Sequence, residues 1–175
     1  MAKQQDKQRG RWQRLWQHLT LSPRELHKAF PKSTLAAIER AVGESESRHR
    51  GELRFVIEQA LSLVDLLQNR TSRTRAIGLF TRFGIGATEE KSGVLIYVLF
   101  ADRKVEIVAD SGIDALIEQT VWEAISARMA TAFASNQFEA GALAGINEIS
   151  DLLARHFPAR GDNPEELPNA PIVLS

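Results

Sequence analysis

Residues 93–113 read GVLIYVLFADRKVEIVADSGI: an apolar run, a polar break, an alternating run, and a glycine where a helix opens. Residues 94–100 are nearly all branched or aromatic and too few for a helix, which predicts a strand buried on both faces. The next run alternates, with Val105, Ile107 and Ala109 facing one way and Lys104, Glu106 and Val108 the other, as suits a strand with one more exposed face. Only Ala101, Asp102 and Arg103 separate the two. So short a link joins antiparallel neighbours and cannot make a parallel crossover, so the pattern predicts a hairpin at the heart of a sheet.

The flanking segments read mostly as helices. Residues 12–19 place Trp12, Leu15, Trp16 and Leu19 at helical spacing behind Lys3, Lys7, Arg9, Arg11 and Arg14. A basic helix of this kind suits an anionic membrane surface or a protein partner, and equally suits packing on its own domain. Ser22, Pro23 and Glu25 mark a helix start. Ser33 is the expected cap of the next helix and Gly43 its stop, with residues 44–50 a loop. Residues 52–58 alternate through Leu53, Phe55 and Ile57 as a strand, whereas residues 59–68 fit a strand extension, a helix or a packed loop alike. Ala76, Ile77, Phe80 and Phe83 form a helical stripe that Gly84 ends. Residues 114–133 and 138–157 are expected as two long helices, the first striped by Leu116, Ile117, Val121, Ile125, Met129 and Phe133. Beyond Pro158 the tail, rich in Gly, Asn and Pro, is expected to form no regular element, although Ile172, Val173 and Leu174 suit packing on the body. The division that follows is a basic helical extension over residues 1–30, a central domain over 31–158 and a tail over 159–175.

Composition removes several chemistries. With 175 residues, 43% of them hydrophobic, the chain suffices for one domain with a core. It has no Cys, which excludes disulfides, thiolate nucleophiles and Cys-bound metals. No run approaches the roughly 18 to 20 apolar residues of a membrane span, and no signal-type apolar stretch follows the basic N-terminus, so the expected location is cytoplasmic, at most peripheral on the inner membrane. Residues 1–82 hold 16 Lys and Arg against 8 Asp and Glu, and residues 83–175 hold 6 against 14. If the two halves interleave, their fields partly cancel; if they segregate, a basic face meets membrane or nucleic acid.

The order of short motifs resembles the TPM domain family. It is carried by the strand at 52–58, the arginine-rich helix start, Phe83-Gly84-Ile85-Gly86, Ser92-Gly93-Val94-Leu95-Ile96, Asp102-Arg103-Lys104-Val105-Glu106-Ile107, Gly112-Ile113, and Phe133 followed by Phe138, Gly141 and Gly145-Ile146. The likeness covers roughly residues 31–157. It implies an α/β fold, a three-layer α/β/α sandwich with a small mixed sheet. The family includes a thylakoid-lumen protein linked to photosystem II repair and described as an acid phosphatase, an animal protein that modulates a receptor channel, and many bacterial proteins of unknown role. Some members bind calcium or related divalent ions. The chain departs from the family pattern at Asp110, where Gly is more usual.

Asp110 ends the second strand, Asp114 opens the next helix, and Glu89 and Glu90 lie in the loop leading to the hairpin, so these four are the candidate ligands for Ca2+ or Mg2+, which take several oxygen donors. Taken singly each has a plainer role: Asp114 as a cap, Glu89 and Glu90 as solvated charges, and Asp102 as a turn residue. Asp102 and Asp110 stand at opposite ends of a strand, roughly 26 Å apart, and cannot share one ion. No nucleotide or redox cofactor is expected. Glu89 takes the place of the third glycine after Gly84 and Gly86, and the pair follows a helix, so there is no dinucleotide loop. His49, beside Arg48 and Arg50, reads as a solvated loop residue, and no two histidines are spaced for zinc. Arg70, Arg73, Arg75 and Arg82 read as a solvated helix face, which leaves nucleic acid the weakest partner class. The expected function is a non-catalytic binding or regulatory module at a membrane face or on a membrane protein, through Arg11, Trp12, Arg14, Leu15, Trp16 and Leu19. The alternative, implied by the family, is a divalent-metal-dependent acid phosphatase.

Overall fold

The structure, a computed structural model, describes residues 12–160 and 167–175. The hairpin forms as the pattern requires. Strands β2 (Val94–Leu99) and β3 (Lys104–Ala109) pair antiparallel with Ile96 opposite Ile107, and every residue of β2 is buried. Strand β1 (Leu53–Glu58) lies parallel to β2, with Phe55 opposite Ile96. Among the described residues the sheet has four strands, because the tail folds back as β4 (Ile172–Leu174), parallel to β1, giving the order β3-β2-β1-β4. That corrects the expectation of an irregular tail. A bare β1 edge would leave its peptide groups unpaired, and three branched residues are enough to cover it.

Helices cover both faces, which is the α/β/α sandwich. On one face α3 (Lys32–Glu46), α7 (Gln119–Ala134) and α8 (Phe138–His156) bury Ile38, Val42, Trp122, Phe133, Ile146 and Ile149 against Phe55, Ile57, Ile96, Val98 and Ile107. On the other, α5 (Ser72–Arg82) brings Ala76 and Leu79 onto Val56, Leu95, Tyr97, Leu99 and Val108. Of the stripe expected for α5, Ala76 is buried and Phe80 and Phe83 pack against this cluster, whereas Ile77 is exposed and Leu79 is buried instead. Residues 59–68 resolve into a short helix, α4 (Leu63–Leu67), opened by Ser62, whose side chain accepts from the Asp65 N–H.

Other boundaries shift for reasons of packing. Helix α3 starts at Lys32 behind Pro31 and runs through Gly43, because its last turn buries Ser45 and Glu46. That burial outweighs a glycine penalty of about 1 kcal/mol. The helix expected at 114 instead breaks into α6 (Ser111–Asp114) and α7. Residues 115–118 turn between them, which buries Ile113 and Ile117 and leaves Leu116 exposed. His49 is not solvated: it is fully buried in an isolated bridge to Pro158, and burial chiefly depresses its pKa to about 4.

Candidate functional site

The two ends of β3 have opposite chemistry. At its C-terminal end Asp110 caps α6, with Oδ1 accepting from the Ser111 N–H at 2.7 Å. Its other oxygen, Oδ2, is buried without a partner on the side of Gly86, where an added Cβ would lie 3.6 Å from it. The loop before β2 closes over this end. A Cβ on Gly93 would come within 2.0 Å of the Ile85 carbonyl oxygen, and one on Gly112 within 2.5 Å of that of Glu90, so both approaches demand glycine. Glu90 pairs through Oε1 with Arg50 and keeps Oε2 buried without a partner.

The four acidic residues named from the sequence therefore do not gather. Asp114 closes α6 and is exposed, as is Glu89. Among the described residues no group of three His, Cys, Asp or Glu side chains is placed to hold a metal ion. Asp110 Oδ2 and Glu90 Oε2 are the carboxylate oxygens this end leaves over. Calcium takes six to eight oxygen donors, so these residues do not fit a calcium site.

At the other end, Asp102 in the hairpin turn holds a helix the sequence left unplaced. Residues 12–20 form α1. Arg14 donates to Asp102 from Nε and Nη2, the latter at 2.8 Å. His18 Nδ1 accepts the Leu61 N–H at 3.0 Å, which puts the ring proton on Nε2, and Nε2 donates to Asp102 Oδ1 at 2.8 Å. Burial alone would raise the Asp102 pKa. The bonds from His18 and Arg14 outweigh it and hold the carboxyl at about 2. Gln17 adds a bond to the Ala101 carbonyl, and Leu15 packs on the second core.

This clamp decides which way α1 faces. Arg14, Leu15 and His18 point into the domain, while Trp12, Trp16 and Leu19 stand 63%, 65% and 58% exposed. The tryptophan stripe is thus the outer face of the helix, and Arg11 lies outside the described residues. The sequence reading missed His18 and Asp102 as partners, although Arg14 and His18 at i and i+4, off the apolar stripe, were a usable sign.

The same end of the sheet buries a second polar cluster. Glu58, at the end of β1, accepts from the Tyr97 hydroxyl at 2.6 Å and from Arg75 through Nε and Nη2. Burial first, and the Glu58 carboxylate second, push the Tyr97 hydroxyl well above its usual pKa. Arg70 pairs with Asp65, and Arg73 donates to the Ile107 carbonyl. Three of the four arginines expected on a solvated face are therefore engaged, because buried carboxylates and a free strand edge lie within their reach.

Comparison with known proteins agrees with the architecture. The NMR structure of BA42 protein from the psychrophilic bacterium Bizionia argentinensis superposes with a TM-score of 0.71 at 27% identity, over 81% of this chain and 92% of that one. The solution structure of the N-terminal domain of a protein from P. gingivalis gives 0.59 at 16% identity, over 74% and 82%, a likeness of fold alone. No curated protein matches the sequence. The model of the TPM domain matches residues 26–152, from α2 (Pro23–Ala29) into α8 and so past both ends of the hairpin, and leaves α1 and β4 outside. This chain belongs to the TPM domain family.

Proposed function

We propose that this TPM-domain chain works by docking, without turnover, and that α1 is its contact with an anionic membrane surface. The observation that carries the reading is the outward stance of Trp12, Trp16 and Leu19 on a helix fixed from behind by Arg14 and His18. A helix that packed for its own stability would turn that stripe inward. Here the polar side is anchored and the aromatic side is presented, as in helices that lie in a membrane interface. Lys3, Lys7, Arg9 and Arg11 against the single Asp6 precede Trp12 in the sequence, a charge that favours anionic lipid. Two tryptophans and a leucine moving from water into the interface contribute on the order of 5 kcal/mol before the costs of association.

Sedimentation with vesicles tests this. The chain is expected to pellet with vesicles of phosphatidylglycerol and phosphatidylcholine and to stay in solution with phosphatidylcholine alone. The Trp12→Ala/Trp16→Ala variant is expected to lose pelleting at least tenfold, and p-nitrophenyl phosphate to remain unhydrolysed with Ca2+ or Mg2+. Hydrolysis that Asp110→Asn abolishes in a folded chain would overturn the proposal in favour of the phosphatase reading.

A further inference from the structure

We infer that the docking face extends beyond α1 to α4, so that the two helices contact anionic lipid together and stand the domain with its hairpin turn toward the membrane. This rests on the docking reading of α1 and adds a second element to it. Helix α4 has five residues, of which Leu63, Val64 and Leu67 are 49%, 62% and 62% exposed. Its inward side is Asp65, paired with Arg70, and Leu66 in the second core. Single exposed apolar side chains are ordinary, whereas three on one short helix beside three more make a patch.

The hydrogen bonds place α4 next to α1. Before α4, Gln59 donates to the Leu21 carbonyl at 2.9 Å and Leu61 donates to His18 at 3.0 Å; after it, Arg14 donates to the Arg70 carbonyl at 3.4 Å. The segments on either side of α4 are thus fastened to α1 or to the residue just after it. The bare faces of both helices belong to one end of the sheet, the end where Asp102 turns the hairpin.

Charge identifies the occupant. Among the described residues, the acidic groups packed behind α1 and α4 have basic partners: Asp102 with Arg14 and His18, Asp65 with Arg70, Glu58 with Arg75. The exposed charges beside the turn are Arg103 and Lys104. A second copy of the chain would bring like charge against like, whereas an anionic lipid surface complements it. Six residues of β3 set the Asp110 end about 20 Å from the turn, so that end faces away from the membrane.

The chain's lack of Cys makes the test direct. An environment-sensitive nitrobenzoxadiazole probe is attached at Val64→Cys and, separately, at the exposed Asp114→Cys near the far end. With phosphatidylglycerol-containing vesicles the Val64 probe is expected to brighten several-fold and shift to the blue, and the Asp114 probe to stay unchanged. Val64→Asp/Leu67→Asp, at positions open to solvent, is expected to lower vesicle binding about tenfold with an unaltered far-ultraviolet spectrum. If Trp12→Ala/Trp16→Ala abolishes binding while the Val64 probe stays dark and the aspartate variant binds like wild type, the α4 contact is refuted and the α1 reading stands. If the wild-type chain ignores anionic vesicles, both readings fall. If the Val64 probe brightens with protein concentration alone, a second copy covers the face and the lipid proposal is overturned.

Discussion

Replacing Asp102 with Asn tests whether the turn carboxylate holds α1 by its charge. The Asp102 side chain is 8% exposed, with Arg14 and His18 as its partners. A carboxyl whose pKa falls from 3.8 to about 2 on folding contributes on the order of 2 kcal/mol of stability at neutral pH. Arg14 is 31% exposed and its share is screened, so we take about 1–2 kcal/mol. The sign follows from the depressed pKa: the contribution is complete above the unfolded value and disappears as pH falls through the folded one. Urea unfolding followed by circular dichroism should therefore find Asp102→Asn less stable by about 1–2 kcal/mol at pH 7 and at pH 5. Near pH 3 the gap should fall to roughly half, and toward pH 2 it should shrink further. A gap as large at pH 3 as at pH 7 would refute the charge argument, and so would a gap under about 0.3 kcal/mol at pH 7, which is within the ordinary range for surface changes.

Three other perturbations read the packing. Tyr97→Phe removes the hydroxyl that bonds Glu58 and leaves Arg75 in place, so urea unfolding should show a loss of about 1–2 kcal/mol. Gly78 sits inside α5 with nothing within 4 Å of an added Cβ, so Gly78→Ala should raise stability by about 0.5–1 kcal/mol, measured the same way. Gly93→Ala drives a Cβ onto the Ile85 carbonyl and should cost several kcal/mol, read as lost soluble yield or a collapsed melting transition.

What the sequence made legible was what leaves a local trace. Strand β2 is buried on both faces, and its composition says so without reference to anything else. Ser22 and Glu25 form a complete capping box, with Pro23 at the start of the helix, because every partner lies within four residues. The misses depend on distant partners. Three branched residues in a tail rich in Pro and Asn carry no period, and β4 exists because β1 offers an open edge. The Trp stripe was visible in α1, but its direction was not, since that is set by Asp102, 84 residues from His18. His49 looked like a loop residue because nothing local reports that Pro158 pairs with it. At the acidic end the right residue types were present, and only coordinates could tell that Asp114 and Glu89 turn to solvent while Asp110 and Glu90 each keep one buried oxygen.

The division of charge along the chain posed two alternatives, and the ion pairs favour interleaving. Arg14 reaches Asp102, Arg48 reaches Asp151 and Arg50 reaches Glu90, each joining the basic first half to the acidic second. Arg70 and Arg75 find Asp65 and Glu58 within the first half. Pairs that join the two halves cancel part of the field that a segregated basic half would project. It also bears on where uncompensated positive charge remains. The sequence supplies only Asp6 against Lys3, Lys7, Arg9 and Arg11 ahead of Trp12, so local compensation is weakest beside the exposed aromatic face. If lipid binding draws on the basic residues ahead of Trp12, raising the salt concentration should weaken vesicle binding, while the part-buried pairs of Arg14 with Asp102 and Arg75 with Glu58 are screened much less.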